Sequence, residues 1–246
     1  METFDKIFVL NLDCRQDRME RVNDILHYLK IPYERFPALH KDTVVGLHAA
    51  LMKQQPQTTI CNPGYLACLL SHLSIYKLAI DRGYKSILIL EDDILIHKNA
   101  QEMVSDVLKK VPDNWDLLYF GYLKLSEDLK TWSHNMDPDS YINNSIVRSK
   151  GFWCCHSYAI NDDLMKEVLK LYNENSTPMP MEIDRFLVKL QADNFQDYDR
   201  KWNLYGCTPR IFGQIGCISD LSPTFHTEAN VHKFIHFAST PLHDFL

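Results

Sequence analysis

The stretch SILILEDDILIH, residues 86–97, indicates both the type of fold and the place of its chemistry. Its first half is a continuous aliphatic run, which is typical of a strand covered on both faces of a parallel sheet. Three adjacent acids follow directly: Glu91, Asp92 and Asp93. Because ligands gather at the carboxyl ends of strands in open parallel sheets, these acids stand where a binding site is expected.

The acid triplet predicts a site for a divalent cation. Neighbouring carboxylates repel one another, and removing them from water without partners is costly. Side chains alternate along a strand, so Glu91 and Asp93 are expected on one side and Asp92 on the other. Oxygen ligands favour Mg²⁺ or Mn²⁺ over zinc, and such ions are often shared with substrate phosphates. The alternative is a solvated strand end that caps a turn.

Hydrophobic periodicity places this stretch within alternating strands and helices. KIFVLNL (6–12) predicts a strand, and a helix follows from Asp17, its expected N-cap, to Lys30. A second helix is expected between Asn62, which can cap it, and Gly83. The remaining predicted helices are 44–53, 99–111, 162–173 and 181–191, and the remaining predicted strands are 33–39, 115–122, 141–148 and 151–160.

These elements predict an α/β protein with one domain over residues 1–246. We expect a nucleotide-binding βαβ half at 1–125, an acceptor-binding half at 126–222 and a tail at 223–246. Neither GxGxxG nor GxxxxGK[ST] occurs, so dinucleotide oxidoreductases and P-loop proteins have no support.

Composition and net charge argue against further classes of protein. The 246 residues carry a net charge of −6 and no basic block, which argues against a nucleic-acid binder. An apolar leader and an apolar run of about 20 residues are both missing from the sequence, so no membrane span is expected. We expect a cytoplasmic protein, encoded either by a cell or by a virus. The sequence leaves a homo-oligomer open. The seven cysteines predict reduced structural thiols, since their number is odd and zinc-finger spacing is absent.

Six segments, in the same order, resemble glycosyltransferase family 25, which includes lipooligosaccharide and procollagen galactosyltransferases. They are IFVLNLDCRQDRMERV, PGYLACLLSHLSIYKLAI, ILILEDDI, HSYAIN, EIDRFL and GQIGCISDLS. The resemblance implies a GT-A-like domain with a Rossmann-like nucleotide-binding half and a mixed central sheet. It also implies inverting transfer of a hexose, galactose or glucose, from a UDP-sugar to a glycan or hydroxylated acceptor, with Mn²⁺ or Mg²⁺ on the acid motif.

The resemblance also assigns roles. Asp93 is the expected metal ligand, with Glu91 as its partner or as a contact to the donor ribose and Asp92 as an alternative. Asp220, or the nearby His226, is a further candidate for the metal or diphosphate. The expected donor-binding residues are Asn11, Leu12, Arg15, Arg18, Ser71, His72, Asp92, Gln214 and Ser219.

Several of these residues also have a structural interpretation. Arg15 and Arg18 can pair with acids on the surface of their own helix, and His72 can be a buried core histidine with satisfied hydrogen bonds. The aromatic residues Tyr119, Tyr122, Trp153 and Tyr158 offer faces for a sugar, although aromatics at strand positions are more often core.

Asp184, in MEIDRFL, is the expected catalytic base. Inverting transfer requires a group that removes the proton of the acceptor hydroxyl, and a carboxylate within hydrogen-bond reach can serve. The alternatives are acceptor binding without proton transfer and helix capping together with Arg185.

Two other functions remain open from the sequence. Asp162 and Asp163 stand where the family has a small-residue helix start, which favours a non-catalytic sugar-nucleotide or glycan-binding protein as the alternative. A metal-dependent phosphohydrolase is less favoured, because no second acidic cluster of the two-metal kind stands out.

Overall fold

The computed structural model describes residues 4–126, 131–133, 141–148, 151–173, 181–191 and 202–215. The strands within these residues are β1 (Lys6–Asn11), β2 (Glu34–Pro37), β3 (Ser86–Glu91), β4 (Ile94–Ile96), β5 (Leu117–Ser126), β6 (Thr131–Ser133), β7 (Tyr141–Asn143), β8 (Ile146–Arg148), β9 (Phe152–Asn161), β10 (Leu204–Cys207) and β11 (Phe212–Gln214). The helices are α1 (Gln16–Tyr28), α2 (Val45–Gln54), α3 (Pro63–Asp81), α4 (Ala100–Lys110), α5 (Asp162–Asn173) and α6 (Ile183–Gln191), with a 3₁₀ turn at Lys41–Val44.

One large mixed sheet organises the chain, with strand order β2-β1-β3-β9-β5-β10-β8-β7 and β6 paired to β5. Strand β1 runs parallel to both β2 and β3, as the βαβ pattern in the first half of the sequence predicted. Strand β9 lies between β3 and β5 and is antiparallel to both of them. The predicted α/β class is therefore confirmed, and the architecture is GT-A-like, with a parallel first half and a mixed central sheet.

Strand β3 contributes side chains to both hydrophobic cores, because its side chains alternate between the two faces of the sheet. Ile87 and Ile89 pack with α3, α5 and α6 in one cluster, whereas Leu88 and Leu90 pack with α1 and α4 in the other. All four side chains are fully buried. Full burial of an aliphatic side chain contributes about 1.5–3 kcal/mol, so this strand fixes the position of the acids that follow it.

Helix α3 has the ends that its sequence predicts. The side chain of Asn62 accepts a hydrogen bond from the backbone N–H of Tyr65 at 3.1 Å, and Pro63 occupies the first turn. Gly83 follows the helix in the left-handed conformation, with φ of 74°. These local signals place Cys68, Ser71 and His72 on a helix of fixed register.

Two local predictions need correction. Asp17 is not the N-cap of α1, because the helix begins at Gln16 and Arg15 occupies the cap position without a side-chain hydrogen bond. The segment 141–148 is not one strand but the hairpin β7–β8, since the Asn143 side chain accepts a hydrogen bond from the Ser145 N–H and turns the chain.

In the part of the chain that the structure describes, no helix combines the length and apolarity needed to cross a bilayer. The six cysteines in this part, which include the buried Cys155 and Cys207, are all unpaired. Cys217 lies outside the described residues.

His156 is buried on β9 beside a bulge in β5. The register between β5 and β9 shifts on both sides of Gly121, and a Cβ atom there would overlap the His156 ring and come within 2.6 Å of the Phe212 carbonyl oxygen. Glycine is therefore required where these groups converge. Burial, opposed by Glu91 and assisted by Arg210, lowers the pKa of His156 to about 4.

We expect His156→Gln to reduce the acid sensitivity of the fold. The pKa of His156 is depressed in the folded state from its ordinary value of 6.5, so the unfolded state binds the additional proton between these values. Stability is therefore lost as the pH falls from 6.5 towards 4. Integration of this shift predicts a loss of about 2 kcal/mol between pH 7 and pH 5 that the variant lacks.

Urea unfolding at the two pH values measures this difference. His27→Gln, at an exposed position of α1, is the matched control and should keep the wild-type pH dependence. An unchanged pH dependence in His156→Gln would contradict the assignment.

Candidate functional site

A cleft opens where β1 and β3 end against the N-terminal half of α3. Its empty volume, including the open mouth, is about 850 Å³. The predicted site residues that line it are Asn11, Leu12, Arg18, Ser71, Glu91, Asp92, Asp93 and Gln214. The other lining residues are Leu10, Ala38, Leu39, His40, Lys41, Gly64, Ala67 and Cys68. The acids therefore lie in the wall of a cleft and do not extend into bulk solvent.

Asp92 holds the acidic turn in place. Its Oδ2 accepts a hydrogen bond from Asn11 Nδ2 at 2.7 Å, and its Oδ1 accepts from an Arg18 guanidinium nitrogen at 2.9 Å. Only 9% of the Asp92 side chain and 11% of the Arg18 side chain are exposed, so water screens this ion pair weakly. Both carboxylate oxygens of Asp92 are occupied by protein donors, which supports a structural role.

Asp93 is positioned by a segment from the far end of the described chain. Strand β11 pairs with β4 so that Gln214 lies opposite Ile94, and the backbone N–H of Ile215 donates to the Asp93 carbonyl oxygen at 2.7 Å. Gln214 Nε2 donates to Asp93 Oδ2 at 3.1 Å. Asp93 Oδ1 is buried and has no hydrogen-bond partner among the described residues.

Glu91 turns towards α3. Its Oε1 lies 3.5 Å from His72 Nε2, and the other ring nitrogen of His72 is 2.7 Å from the Tyr158 hydroxyl. The Tyr158 hydroxyl is in turn 2.6 Å from the Tyr76 hydroxyl. The three acids therefore face different partners. The expected alternation ends at Glu91, because Asp92 and Asp93 belong to a turn and not to the strand.

The protonation preferences of Glu91 and Asp93 differ. Burial opposes ionisation of Glu91, but His72, His156 and Arg18 outweigh it, so the pKa of Glu91 lies below its ordinary value. Burial, followed by the charge of Glu91, raises the pKa of Asp93 to about 7. Glu91 therefore remains ionised to a lower pH than Asp93 does.

The residues of the cleft fit a hard divalent ion. Asp93 offers a buried oxygen that has no partner among the described residues, and Glu91 lines the same cleft. Gln214 orients the Asp93 carboxylate through its other oxygen. A cation between Glu91 and Asp93 would offset the charge of Glu91, which after burial is the largest cause of the raised pKa of Asp93. Asp92 is less suited as a ligand than Asp93, since each of its oxygens already accepts a hydrogen bond from Asn11 or Arg18.

Asp184 lies in the first turn of α6 and is absent from the cleft lining. Its Oδ1 accepts a hydrogen bond from the Arg185 backbone N–H at 2.7 Å. Burial, assisted by the charges of Glu182 and Glu91, raises the pKa of Asp184 to about 6. Such a pKa suits a group that accepts a proton near neutral pH.

The other predicted site residues either make structural contacts or lie outside the described part of the chain. Arg15 pairs with Asp17 at 2.9 Å and does not line the cleft, which favours its surface interpretation. The Ser71 hydroxyl accepts from the Leu39 N–H and donates to the Ala67 carbonyl, so it ties α3 to the chain after β2. His226, Ser219 and Asp220 lie outside the described residues.

The aromatic candidates are mainly core. Tyr119, Tyr122 and Tyr158 are buried, while Trp153 is half-buried under the guanidinium of Arg185, 5.6 Å from its ring centroid. Asp162, whose position departs from the family pattern, pairs with Lys85 and Lys166 and lies away from the cleft lining. The departure from the family pattern at this position therefore does not alter the lining of the cleft.

The sequence interpretation missed two supporting arginines. Arg21 donates to the carbonyl oxygens of Asp92 and Ile94 at 2.9 and 2.8 Å, and Arg35 donates from Nε to Asn11 Oδ1 at 2.8 Å. Arg18 and Arg21 are three residues apart on α1 and so lie on one helix face, which is a sequence signal that could have revealed their shared role.

An acid-lined cleft at the carboxyl ends of parallel strands lies where open α/β sheets bind their ligands. The family model of glycosyltransferase family 25 (LPS biosynthesis protein) matches residues 4–187. The chain belongs to this family, as the six ordered segments predicted.

Named relatives are similar over most of the chain. Procollagen galactosyltransferase 1-A of Xenopus laevis is 26% identical over 197 residues, which cover 75% of this chain and 31% of that protein. The inactive glycosyltransferase 25 family member 3 of Homo sapiens is 28% identical over 139 residues, covering 52% of this chain and 23% of that protein. The chain thus spans about three tenths of the first relative's length.

A solved glycosyltransferase, involved in the glycosylation of the major capsid of PBCV-1, aligns with a TM-score of 0.41 and 12% identity. The alignment covers 81% of this chain and 80% of that one.

We expect Asp92→Ala to destabilise the protein. The substitution removes the carboxylate that accepts hydrogen bonds from the largely buried Arg18 and Asn11, and losing one partner of such a pair costs about 2–4 kcal/mol. Asp17→Ala, which breaks the exposed pair with Arg15, is the control and should cost much less. Urea unfolding measures both, and equal losses would contradict a structural role for Asp92.

Proposed function

We propose that the chain is a metal-dependent inverting hexosyltransferase. It moves galactose or glucose from a UDP-sugar to a hydroxyl group of a glycan or hydroxylated acceptor. The observation that carries the proposal is the buried oxygen of Asp93, which has no partner within the described part of the chain and shares with Glu91 a cleft at the carboxyl ends of β1 and β3. Membership of glycosyltransferase family 25 supports the transfer of a sugar.

The lining of the cleft supports a nucleotide diphosphate as the donor. Apolar side chains of Leu10, Leu12 and Leu39 form a surface against which a base can pack, and Arg18 and Lys41 bring positive charge to the same cleft. Asp93 and Glu91 would hold Mn²⁺ or Mg²⁺, which as a Lewis acid neutralises charge on the departing UDP.

The remaining steps fall to the protein's own side chains. Asn11 and Arg18 hold the turn that carries Asp93, so the ligand oxygen keeps its position when the donor enters. Gln214 orients the Asp93 carboxylate from the other side. Asp184 accepts the proton of the acceptor hydroxyl as that oxygen attacks the anomeric carbon. The new bond forms on the face opposite the departing UDP, which inverts the anomeric centre.

A second candidate function is sugar-nucleotide or glycan binding without turnover. It is favoured by one observation: a relative of similar identity carries the description "inactive". Binding without turnover predicts that a UDP-sugar raises the melting temperature while no UDP is released.

We expect the purified protein to release UDP from UDP-galactose or UDP-glucose when Mn²⁺ is present. Asp93→Asn keeps the shape of the side chain and removes its charge, so it should weaken Mn²⁺ affinity at least about tenfold and reduce UDP release similarly. Isothermal titration with Mn²⁺ and a UDP-release assay across donors measure these effects.

Asp106→Asn, which alters an exposed pair with Lys110 on α4, is the charge-matched control and should behave as the wild type. Absence of UDP release with every UDP-sugar would refute the enzymatic proposal. Unchanged Mn²⁺ affinity in Asp93→Asn would place the ion elsewhere.

We expect Asp184→Asn to abolish most turnover while it preserves donor binding. Loss of a general base typically costs about 10²–10⁴-fold in rate. The pKa of Asp184 is raised to about 6, so the carboxylate takes up its proton below that pH, and wild-type turnover should fall about tenfold per pH unit there.

Asp163→Asn, at the exposed first turn of α5, is the matched control for an acid at a helix start. Turnover retained in Asp184→Asn would assign proton transfer to another group. A fall in turnover matched by an equal fall in donor affinity would instead indicate a positioning role.

A further inference from the structure

We propose that Cys68, His72 and Glu91 form a second cation site, which binds a thiophilic divalent ion such as Zn²⁺. One ligand atom from each of the three side chains lies within 4.8 Å of the other two. Among the described residues, these are the three potential metal-ligating side chains that the structure brings this close together. The inference goes beyond the proposed function, because it needs neither a sugar donor nor turnover.

The secondary structure brings these side chains together. Cys68 and His72 are four residues apart on α3, so they lie one turn apart on the same face. Glu91 approaches this face from the end of β3. A sulfur, an imidazole nitrogen and a carboxylate oxygen are the ligand types of zinc, whereas Mg²⁺ and Mn²⁺ prefer oxygen.

His72 provides the independent observation that points to a ligand. Its side chain is fully buried, and its Nε2 has no hydrogen-bond partner among the described residues. The Glu91 oxygen is 3.5 Å away, at the limit of a hydrogen bond, and does not meet the geometry of one. A buried ring nitrogen in this state is uncommon in folded proteins.

The partner of the other ring nitrogen suits metal binding. Tyr158 lies 2.7 Å from His72 Nδ1 and is itself within 2.6 Å of the Tyr76 hydroxyl. When Nδ1–H donates to Tyr158, the lone pair of Nε2 faces Cys68 and Glu91. Metal-binding histidines are usually oriented by such a hydrogen bond from their second nitrogen.

The site is accessible to an ion from solvent. Cys68 and Glu91 both line the cleft, while His72 lies behind them. Three protein ligands leave a fourth, tetrahedral position for a water molecule on the cleft side. Because Glu91 belongs both to this group and to the proposed hard-ion site, the two ions compete for its carboxylate.

Cobalt titration of the purified, reduced chain tests the proposal without any sugar donor. Co²⁺ replaces Zn²⁺ in tetrahedral sites and reports a thiolate ligand by a charge-transfer band in the near ultraviolet. We expect one equivalent of Co²⁺ to produce this band together with tetrahedral visible absorption, and added Zn²⁺ to remove both.

Cys68→Ala should abolish the thiolate band and weaken Co²⁺ binding at least about tenfold, since even losing a supporting partner costs about 10–100-fold. Cys61→Ala, an exposed thiol just before α3, is the matched control and should retain the band. Cys68→Ser, which keeps the side-chain volume, decides the question if the alanine variant does not fold. His72→Gln should weaken binding in the same way.

Absence of the thiolate band in the wild type, or its persistence in a folded Cys68 variant, would overturn the proposal. These outcomes are separate from the proposed transferase function. A protein without UDP release can still give the cobalt spectrum, and an active transferase can lack it.

Discussion

Three adjacent carboxylates at the end of a buried strand must each find compensation, and the rest of the site follows from how they do so. Glu91 faces His72, Asp92 accepts from Asn11 and Arg18, and Asp93 accepts from Gln214. The partners come from the first helix, the first strand, the long capped helix and the last described strand. Charge compensation therefore draws distant parts of the chain to one edge of the sheet.

Much of this arrangement was predictable from local sequence. The aliphatic run before the acids identifies a strand buried on both faces, and Asn62 with Pro63 fixes the start of the helix that carries His72. The family resemblance added Gln214, which no local pattern connects with residue 93. Local signals were sufficient where hydrogen bonds are made within a few residues.

The remainder depends on contacts that sequence does not encode locally. Strands β4, β10 and β11 have only three or four residues each, so they show no usable period and exist because they pair. The occupation of both Asp92 oxygens depends on the shape of a turn. Alternation predicted that Asp92 would face away from its neighbours, but Arg18 lies 2.9 Å from Asp92 and 3.8 Å from Asp93.

The position of β9 has a consequence for how the chain can be divided. This strand, made from residues 152–161, separates β3 from β5, although both of those precede it in the sequence. A shortened chain that stops at residue 125 would expose the backbone groups of β3 along an open, apolar edge, which invites association with other copies. Residues on both sides of position 125 therefore supply neighbouring strands of one sheet, and a chain cut at that position leaves the sheet incomplete.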